Sequence, residues 1–166
     1  MSEAIADLFK SLTHGVYLIG VADGETRNAF TAAWVMQISF DPLLLALSIN
    51  PDHASFPLLE SGGAFSVNVL KKDQPDLAEH YGKSGDPGPL AEPDWTTGKF
   101  GPPLRNDAMA WFECKAKYIA PAGDHMLVTG EVVGGKLLDA DAMPMTYADT
   151  GNLDGAGALF PDSFTG

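Results

Sequence analysis

The chain has few basic residues and almost no cysteine. Its 166 residues include 10 lysines and arginines against 22 aspartates and glutamates, which gives a formal net charge of −12. Because binding to a phosphate backbone requires a basic surface, this balance argues against a nucleic-acid partner, and equally against an anionic membrane face. The one cysteine, Cys114, excludes an intrachain disulfide and is typical of a reducing compartment.

Long apolar runs and metal-binding motifs are also missing from the sequence. No stretch approaches the roughly 20 apolar residues that a membrane-spanning helix needs, and residues 1–5 lack the basic start of a signal peptide. The four histidines lie far apart without ligand spacing, so no metal site is expected. We therefore expect a cytoplasmic protein that binds neither membrane nor metal.

The length and the hydrophobic content of 45% fit one domain with one core. The apolar periodicity predicts helices over 4–12, 55–60 and 75–81, and strands over 16–21, 27–40, 43–49, 64–70, 110–118 and 126–132. Asp23-Gly24 is typical of a hairpin turn, and the segment 82–106, rich in glycine and proline, is predicted to be a long lid or binding loop. The pattern predicts a mainly β fold with short helices, arranged as a small antiparallel barrel.

The residue patterns of two predicted strands indicate which of their faces should be buried. Residues 43–49 are apolar at nearly every position, so both faces should be buried, and the outer face then requires a cover, most simply a second subunit. In the strand 110–118, Cys114 and Tyr118 fall on the predicted inner face, where Cys114 would be inert core. The tail from residue 138 has weak periodicity and is expected to wrap the surface or a partner.

Two segments of short side chains, 28–33 and 48–55, flank one predicted strand pair. Small side chains and free backbone amides allow a flat, anionic, aromatic cofactor to approach the main chain closely. The second segment leads into the helix predicted to begin at Ser55, where unpaired amides and the helix dipole favour an anion. The two segments are therefore the candidate binding site.

The ordered motifs of the chain resemble the flavin reductase-like group of FMN-binding split β-barrel proteins. The motifs are Asn28-Ala29-Phe30-Thr31-Ala32-Ala33-Trp34, Ser39-Phe40-Asp41-Pro42, Phe65-Ser66-Val67-Asn68-Val69-Leu70, Phe112-Glu113-Cys114 and Gly123-Asp124-His125. The likeness runs over residues 13–147. It implies one domain over residues 1–166, a Greek-key-like antiparallel split barrel with its core at 13–147 and a C-terminal tail at 148–166.

The resemblance implies an oxidoreductase that transfers a hydride from NADH or NADPH to FMN, with FAD as the alternative flavin. It also implies a homodimer with the flavin near the subunit interface and a monooxygenase partner that receives reduced flavin. Alanines at 32 and 33, where family members often carry serine, and the bulky Trp34 depart from the family pattern. The missing serines, together with the segment 83–106, which matches the family poorly, favour a second hypothesis, an FMN-binding electron-transfer protein, flavoredoxin-like, without a nicotinamide site.

The resemblance and the two segments together give a set of cofactor-binding candidates. The candidates are Phe30, Thr31, Ala32, Ala33, Trp34, Ser48, Asn50, His53, Ala54, Ser55, Asn68, Lys71 and His125. Thr31 and the two alanines would lie against the flavin ring, or they simply fit a barrel strand. His53 and Ser55 would hold the FMN phosphate, with the alternative that Ser55 only caps the helix.

Three further candidates also have two interpretations. Asn68 would bind the flavin edge or a neighbouring loop, and Lys71 would reach the phosphate or stay solvated. The resemblance implies that His125 lines the nicotinamide or flavin face, whereas its spacing alone is typical of a surface histidine. No catalytic residue is assigned, because hydride transfer between stacked rings needs no acid or base from the protein.

Overall fold

The computed structural model describes residues 2–165. Its helices are α1 (Ser2–Lys10), α2 (Ser55–Gly62) and α3 (Pro75–Gly82), its strands are β1 (Tyr17–Asp23), β2 (Thr26–Ala32), β3 (Val35–Ser39), β4 (Leu44–Ile49), β5 (Ala64–Val69), β6 (Trp95–Thr97), β7 (Pro103–Arg105), β8 (Ala110–Ala122) and β9 (His125–Leu137), and 3₁₀ turns cover Tyr147–Thr150 and Ala156–Leu159. The helices predicted at 4–12, 55–60 and 75–81 and the strands predicted at 16–21, 43–49 and 64–70 are confirmed within two residues. No helix among the described residues is long and apolar enough to cross a membrane.

Seven strands form one antiparallel sheet in the order β2-β1-β5-β8-β9-β4-β3. The prediction of one strand over 27–40 is wrong, because the chain breaks at Ala33 and Trp34 and the two halves pair with different neighbours, β2 with β1 and β3 with β4. Consecutive strands thus form opposite edges of the sheet. Phe30 on one edge strand and Leu47 beside the other belong to one core cluster, so the sheet is curled into an open barrel.

The barrel interior is filled by buried side chains from both halves of the sheet. They are Ile19, Val21, Phe30, Leu45, Leu47, Ile49, Leu59, Phe65, Val67, Cys114 and Val128. Gly130 is required opposite the ring of Phe65, because a Cβ there would lie 2.5 Å from Phe65 Cζ. Burial, with a smaller effect of Glu113, raises the pKa of the Cys114 thiol to about 12. The thiol therefore stays protonated and unreactive, as predicted for a core residue.

The apolar strand β4 is buried on its inner face, but on its outer face Leu44 and Ser48 are only partly buried, so the prediction of burial on both faces holds in part. Leu45, Leu47 and Ile49 face the core, and Ala46 on the opposite face is also buried. Ala46 lies between β3 and β9, opposite Met36 and Thr129. Because this short side chain is already shielded within one chain, the burial of β4 does not by itself require a second subunit.

The segment 82–106 is more structured than a loop, so this prediction is corrected. It contains β6 and β7, and it buries Leu90 and Trp95 in a second cluster on the outer face of the sheet. Leu104 is buried as well. The indole Nε1 of Trp95 donates to the hydroxyl of Tyr81 at 3.0 Å. The few apolar residues of this segment lack any period, which is why the pattern did not reveal them.

The strand β8 departs from the predicted alternation. Its pairing with β9 shifts register between Glu113 and Cys114 and again between Ala116 and Tyr118. The extra residue at the first shift is Val133 of β9, but at the second shift it is Lys117 of β8. The second bulge therefore moves the following side chains of β8 to the other face, so Tyr118, predicted to point inward, is 73% exposed. Ile119 packs against the core cluster in its place.

The tail wraps the barrel end, as expected. Met145 is buried, and its amide and carbonyl bond to Leu70 O and Val16 N at 2.9 and 3.1 Å. The next turn is fixed by Tyr147 N, which donates to His14 O at 2.8 Å, and by Asp149, which accepts from Thr146. The tail therefore ends up beside the segment between β2 and β3.

Candidate functional site

The two segments of short side chains meet in the structure. Ser48 N donates to Trp34 O at 3.0 Å, and Asn28 Nδ2 donates to Ser55 Oγ at 2.9 Å. The rings of Phe30 and His53 also touch, with centroids 4.6 Å apart. These contacts join the end of β2 to the beginning of α2, so the candidate site predicted from sequence is one place in the fold.

A cleft of about 330 Å³, here called the strand cleft, opens beside the end of β2. It is lined by Val16, Thr31, Ala32, Ala33, Ala78, Glu79, Gly82, Lys83, Tyr147, Thr150, Leu153 and Asp154. Ala32 and Ala33 have short side chains, so the wall that they form projects little into the cleft. Gly82 has the same effect on the wall that α3 forms. The volume lies within the range of small-molecule sites in proteins, about 300 to 1,000 Å³. The hydroxyl of Thr31 donates to Ala78 O at 2.8 Å, so it fixes this wall.

A second cleft of about 380 Å³, here called the aromatic cleft, lies on the other side of Tyr147. Five rings line it, those of Phe9, His14, Trp34, Tyr147 and Phe160. Phe9 and Phe160 hold α1 to the tail, with ring centroids 5.3 Å apart. Sequence reasoning missed α1, α3 and the tail as parts of the site, since their contribution depends on packing between elements far apart in the chain.

Ser55 does not serve as a helix cap, so that interpretation is wrong. The N-cap of α2 is Ala54, which makes no side-chain cap, and Ser55 is the first helical residue and is fully buried. Its hydroxyl accepts the Asn28 amide instead. Because the hydroxyl is buried, it is also withdrawn from an anion bound at the surface, so the candidate role of Ser55 at a phosphate is corrected as well.

The free amides expected at the start of α2 are partly used by the preceding turn. Ser55 N donates to His53 Nδ1 at 3.1 Å, and Phe56 N donates to His53 O at 3.0 Å. Asn50 is a turn residue, since its Oδ1 accepts from Asp52 N and its carbonyl from His53 N. The turn thus orders the segment 48–55, and it uses backbone N–H donors that would otherwise be available to an anion.

His53 keeps a free donor. Because its Nδ1 accepts an amide hydrogen, the neutral ring carries its proton on Nε2. Burial lowers the pKa of His53, so the neutral form prevails at pH 7. His53 can therefore donate one hydrogen bond through Nε2 to a ligand beside Phe30.

The lowered pKa of His53 predicts how stability depends on pH. Between the folded and unfolded pKa values the unfolded chain binds more protons, so the free energy of unfolding should fall as the pH drops through the ordinary histidine pKa of 6.5 toward the lowered pKa of the folded state. Chemical denaturation at several pH values should show a smaller slope in His53→Gln than in the wild type, and equal slopes would contradict the prediction.

Asn68 and Lys71 lie apart from the two clefts. The side chain of Asn68 is fully buried, donates to Leu18 O at 3.0 Å, and accepts from Arg105 N at 2.8 Å. Its partner is therefore the neighbouring segment, and the interpretation as a flavin-edge ligand is corrected. Lys71 Nζ lies 3.7 Å from Asp139 in a separate cleft, so its contact with a phosphate stays a prediction.

His125 lies next to the candidate segment. Its ring contacts the indole of Trp34, with centroids 4.9 Å apart, and its Nδ1 lies 2.7 Å from Asp124 Oδ1. It is thus more than a lone surface histidine. The structure brings together residues from both predicted segments with His125, and it leaves out Asn68 and Lys71.

The sequence model of one protein family, described as Flavin reductase like domain, matches residues 9–155. The chain belongs to this family. The match confirms the resemblance inferred from the motifs, and the antiparallel fold agrees with that of solved family members. It also covers the tail as far as residue 155, beyond the limit at 147 expected from sequence.

Relatives with known structure or curated names extend this finding. The flavin reductase component BorF of a bacterial two-component tryptophan halogenase is 30% identical, with a TM-score of 0.81 over 90% of this chain and 95% of that chain. The NADH:FAD oxidoreductase SgcE6 of Streptomyces globisporus is 26% identical, with a TM-score of 0.80 over 88% of each chain. The reductase component of 4-hydroxyphenylacetate 3-monooxygenase from Thermus thermophilus is 28% identical over 91% of this chain and 95% of that protein.

Other curated relatives are longer proteins, among them diflavin flavoproteins of Synechocystis and Nostoc. The chain spans 23% to 42% of the length of these relatives. The same domain therefore occurs both as a chain of this length and as one part of larger flavoproteins.

Proposed function

We propose that the chain is a flavin reductase that oxidises NADH or NADPH, reduces FMN or FAD, and supplies the reduced flavin to a monooxygenase. The observation that supports the proposal is the strand cleft, which is lined by the short side chains of Ala32 and Ala33 and lies within the part of the chain that the family model matches. The names of BorF and of the Thermus thermophilus relative, both reductase components of two-component enzymes, support a partner of this class.

The residues present fit a flavin. A flat ring requires a wall without bulky side chains, which residues 31–33 provide, and an opposite wall that excludes water, which α3 and Tyr147 provide. Burial and the hydrogen bond to Asp154 raise the pKa of Tyr147, so its phenol stays protonated. A bound flavin would supply the ring that accepts a hydride, and the protein would hold the two rings in contact.

The phosphate end of the ligand requires cations or donors in an acidic protein. Glu79 and Asp154 give the strand cleft a negative balance against Lys83. An anionic group is therefore favoured outside it, at the turn before α2, where His53 Nε2 can donate. We therefore propose that the ring lies in the strand cleft and the phosphate near His53.

We also propose the homodimer that the family resemblance implies. The edge strand β3 and the turn after it expose Met36, Ile38, Phe40 and Leu43, and Phe40 is 85% exposed. A row of apolar side chains on an open sheet edge is typical of a surface covered by another chain. Light scattering should give the mass of two chains, and the mass of one chain would refute the dimer.

The proposed activity is tested by anaerobic oxidation of NADH and NADPH with and without added FMN or FAD. We expect nucleotide oxidation to require flavin, and the visible flavin band to bleach with the preferred nucleotide. If generous flavin gives no stimulation with either nucleotide, the chain is not a flavin reductase.

The electron carrier is the second candidate. The alanines at 32 and 33 favour it, and so do the diflavin flavoproteins, in which a similar domain is part of a larger flavoprotein. A carrier would retain flavin through gel filtration and bleach with dithionite but with neither nucleotide. The same anaerobic titration therefore separates the two functions.

A further inference from the structure

The helix α3 forms one wall of the strand cleft, although it has only eight residues. Ala78, Glu79 and Gly82 line the cleft, and Ala78 and Tyr81 are buried. Residues three apart lie on one face of a helix, so the buried pair 78 and 81 adjoins the cleft pair 79 and 82. A rotation of α3 about its axis would therefore change the distance between this wall and Ala33. Because a helix of this length is not stable by itself, its orientation depends on contacts with other elements.

Tyr81, on the buried face of α3, is held by Trp95 of β6. The indole Nε1 of Trp95 donates to the hydroxyl of Tyr81 at 3.0 Å. The two rings also meet edge to face, with centroids 5.6 Å apart and planes inclined by 79°. Tyr81 is 7% exposed and Trp95 is 2% exposed. Because a buried N–H without a partner is costly, this bond favours the observed rotation of α3 over others.

The indole of Trp95 is itself fixed by Arg105. The two residues lie opposite each other in the pairing of β6 with β7, and the guanidinium carbon of Arg105 lies 5.4 Å from the centre of the indole, a favourable cation–π contact. Arg105 is buried, and its Nε donates to a carboxylate oxygen of Asp107. A chain of contacts therefore runs from Asp107 through Arg105 and Trp95 to Tyr81.

A second bond holds α3 on the side of β2. The hydroxyl of Thr31 donates to Ala78 O at 2.8 Å. This bond by itself would leave α3 free to turn about it. The bond between Trp95 and Tyr81 is formed one helical turn further along, so the two bonds together set the angle of the helix.

We propose that Tyr81 and Trp95 are positioning residues for the strand cleft: their hydrogen bond sets the rotation of α3, and thereby the width of the cleft that a flavin ring would enter. The inference rests on the proposed function and adds two residues that do not line the cleft themselves. A flavin would bind only the aligned arrangement. The apparent affinity therefore falls with the fraction of molecules in which α3 is aligned.

The test is Tyr81→Phe, which keeps the ring and removes the hydroxyl that accepts the bond. FMN and, separately, FAD are titrated into the purified protein while flavin fluorescence is followed, at a temperature well below the melting temperature of every variant. We expect the dissociation constant to rise about twofold to tenfold, the factor by which one hydrogen bond shifts an equilibrium. A residue that only stabilises the fold would lower the melting temperature and leave this dissociation constant unchanged, and that result would overturn the proposal.

Steady-state kinetics add a second readout. In Tyr81→Phe the KM for flavin should rise by the same factor as the dissociation constant, whereas kcat at saturating flavin should stay at the wild-type value. The reason is that a molecule that has bound flavin has α3 aligned. A fall in kcat with unchanged KM would overturn the positioning role.

Tyr118→Phe is the matched control, since it also removes one phenolic hydroxyl. Tyr118 is 73% exposed on β8 and lines neither cleft. It should leave the flavin affinity unchanged.

A double variant tests whether Tyr81 and Trp95 act through their mutual bond. Trp95→Phe removes the donor and also leaves a gap, so its own loss of affinity includes both effects. Adding Tyr81→Phe to Trp95→Phe should then cause no further loss, because the bond is already gone. A further loss equal to that of Tyr81→Phe alone would show that the two residues act independently and would overturn the proposal.

Hydrogen exchange in the free protein gives a readout without flavin. Tyr81→Phe should speed amide exchange in peptides that cover residues 75–82 about twofold to tenfold, while peptides from β5 exchange at the wild-type rate. Saturating FMN should slow the exchange of α3 again. Unchanged exchange over residues 75–82 would show that the bond does not hold the helix, and it would overturn the proposal.

The outcomes separate this inference from the proposed function. A wild type that oxidises NADH or NADPH with flavin, together with a Tyr81→Phe variant of unchanged flavin affinity, refutes the positioning role only. A wild type that binds flavin but oxidises neither nucleotide refutes the reductase, whereas weaker flavin binding by Tyr81→Phe would still support the positioning role. A wild type that binds no flavin overturns both.

Discussion

Replacing Ala33 by phenylalanine is expected to suppress flavin-dependent oxidation of NADH while the protein stays folded. Ala33 lines the strand cleft and is partly exposed, so the added ring can turn into the open cleft without disturbing the core. A ligand would then have to displace this ring. Overpacking of about 1 to 3 kcal/mol corresponds to a loss of about fivefold to 140-fold in flavin affinity. Fluorescence titration with FMN and FAD measures it.

Ala140→Phe is the matched control for this substitution. Ala140 is exposed in the turn after β9 and lines none of the clefts described above. It should leave flavin affinity and turnover unchanged, and thermal melts of both variants should resemble that of the wild type. If Ala33→Phe binds flavin normally, the ring does not lie in the strand cleft and the proposed site is wrong.

Gly62→Ala is expected to destabilise the fold markedly. Gly62 is the last residue of α2, and a Cβ there would meet the carbonyl oxygen of Ala22 on β1 far inside contact distance. Because this neighbour is backbone, α2 would have to move away from the sheet, at a cost of about 3 kcal/mol. The better helix propensity of alanine offsets about 1 kcal/mol. The net loss of about 2 kcal/mol should lower the melting temperature by about 4 to 8 °C.

The chain contains a matched comparison at the end of α3. Gly82 is also the last residue of an eight-residue helix, but a Cβ there would meet only Thr31 at 3.9 Å, which is ordinary contact. Gly82→Ala should therefore keep the unfolding free energy or raise it by up to about 1 kcal/mol. Calorimetry on both variants measures the difference. Equal melting temperatures would show that α2 does not depend on its close approach to β1.

The sequence predicted the parts of the fold that depend on local pattern. Apolar alternation and turn residues located β1, β4, β5 and the helices α2 and α3, because side-chain periodicity and glycine or proline positions are set over a few residues. It failed at the boundary between β2 and β3. Residues 27–40 are β-forming throughout, and only the different pairing partners, β1 and β4, divide them into two edges of the sheet.

The candidate site shows the same division between local and tertiary information. Segments 28–33 and 48–55 were identified from their short side chains, and the contacts of Trp34 with Ser48 and of Phe30 with His53 confirm that they adjoin. The role expected for Ser55 was wrong, because its hydroxyl is buried and accepts a hydrogen bond from the side-chain amide of Asn28, which lies far away in the sequence. A local sequence pattern does not reveal a hydrogen-bond partner that lies so far away in the chain.

By itself the sequence determined the class of the protein: an acidic, mainly β chain with the ordered motifs of the flavin reductase-like family. Composition, charge and short motifs are obtained directly from the residues, so an error in the predicted strand register does not change them. Only the tertiary structure decided which side chains share a cleft. Tyr147, Phe160 and α1 reach the end of β2 because the tail pairs with residues 14–16 and 70, and long-range pairing of this kind depends on the packing of the whole sheet rather than on any segment of it.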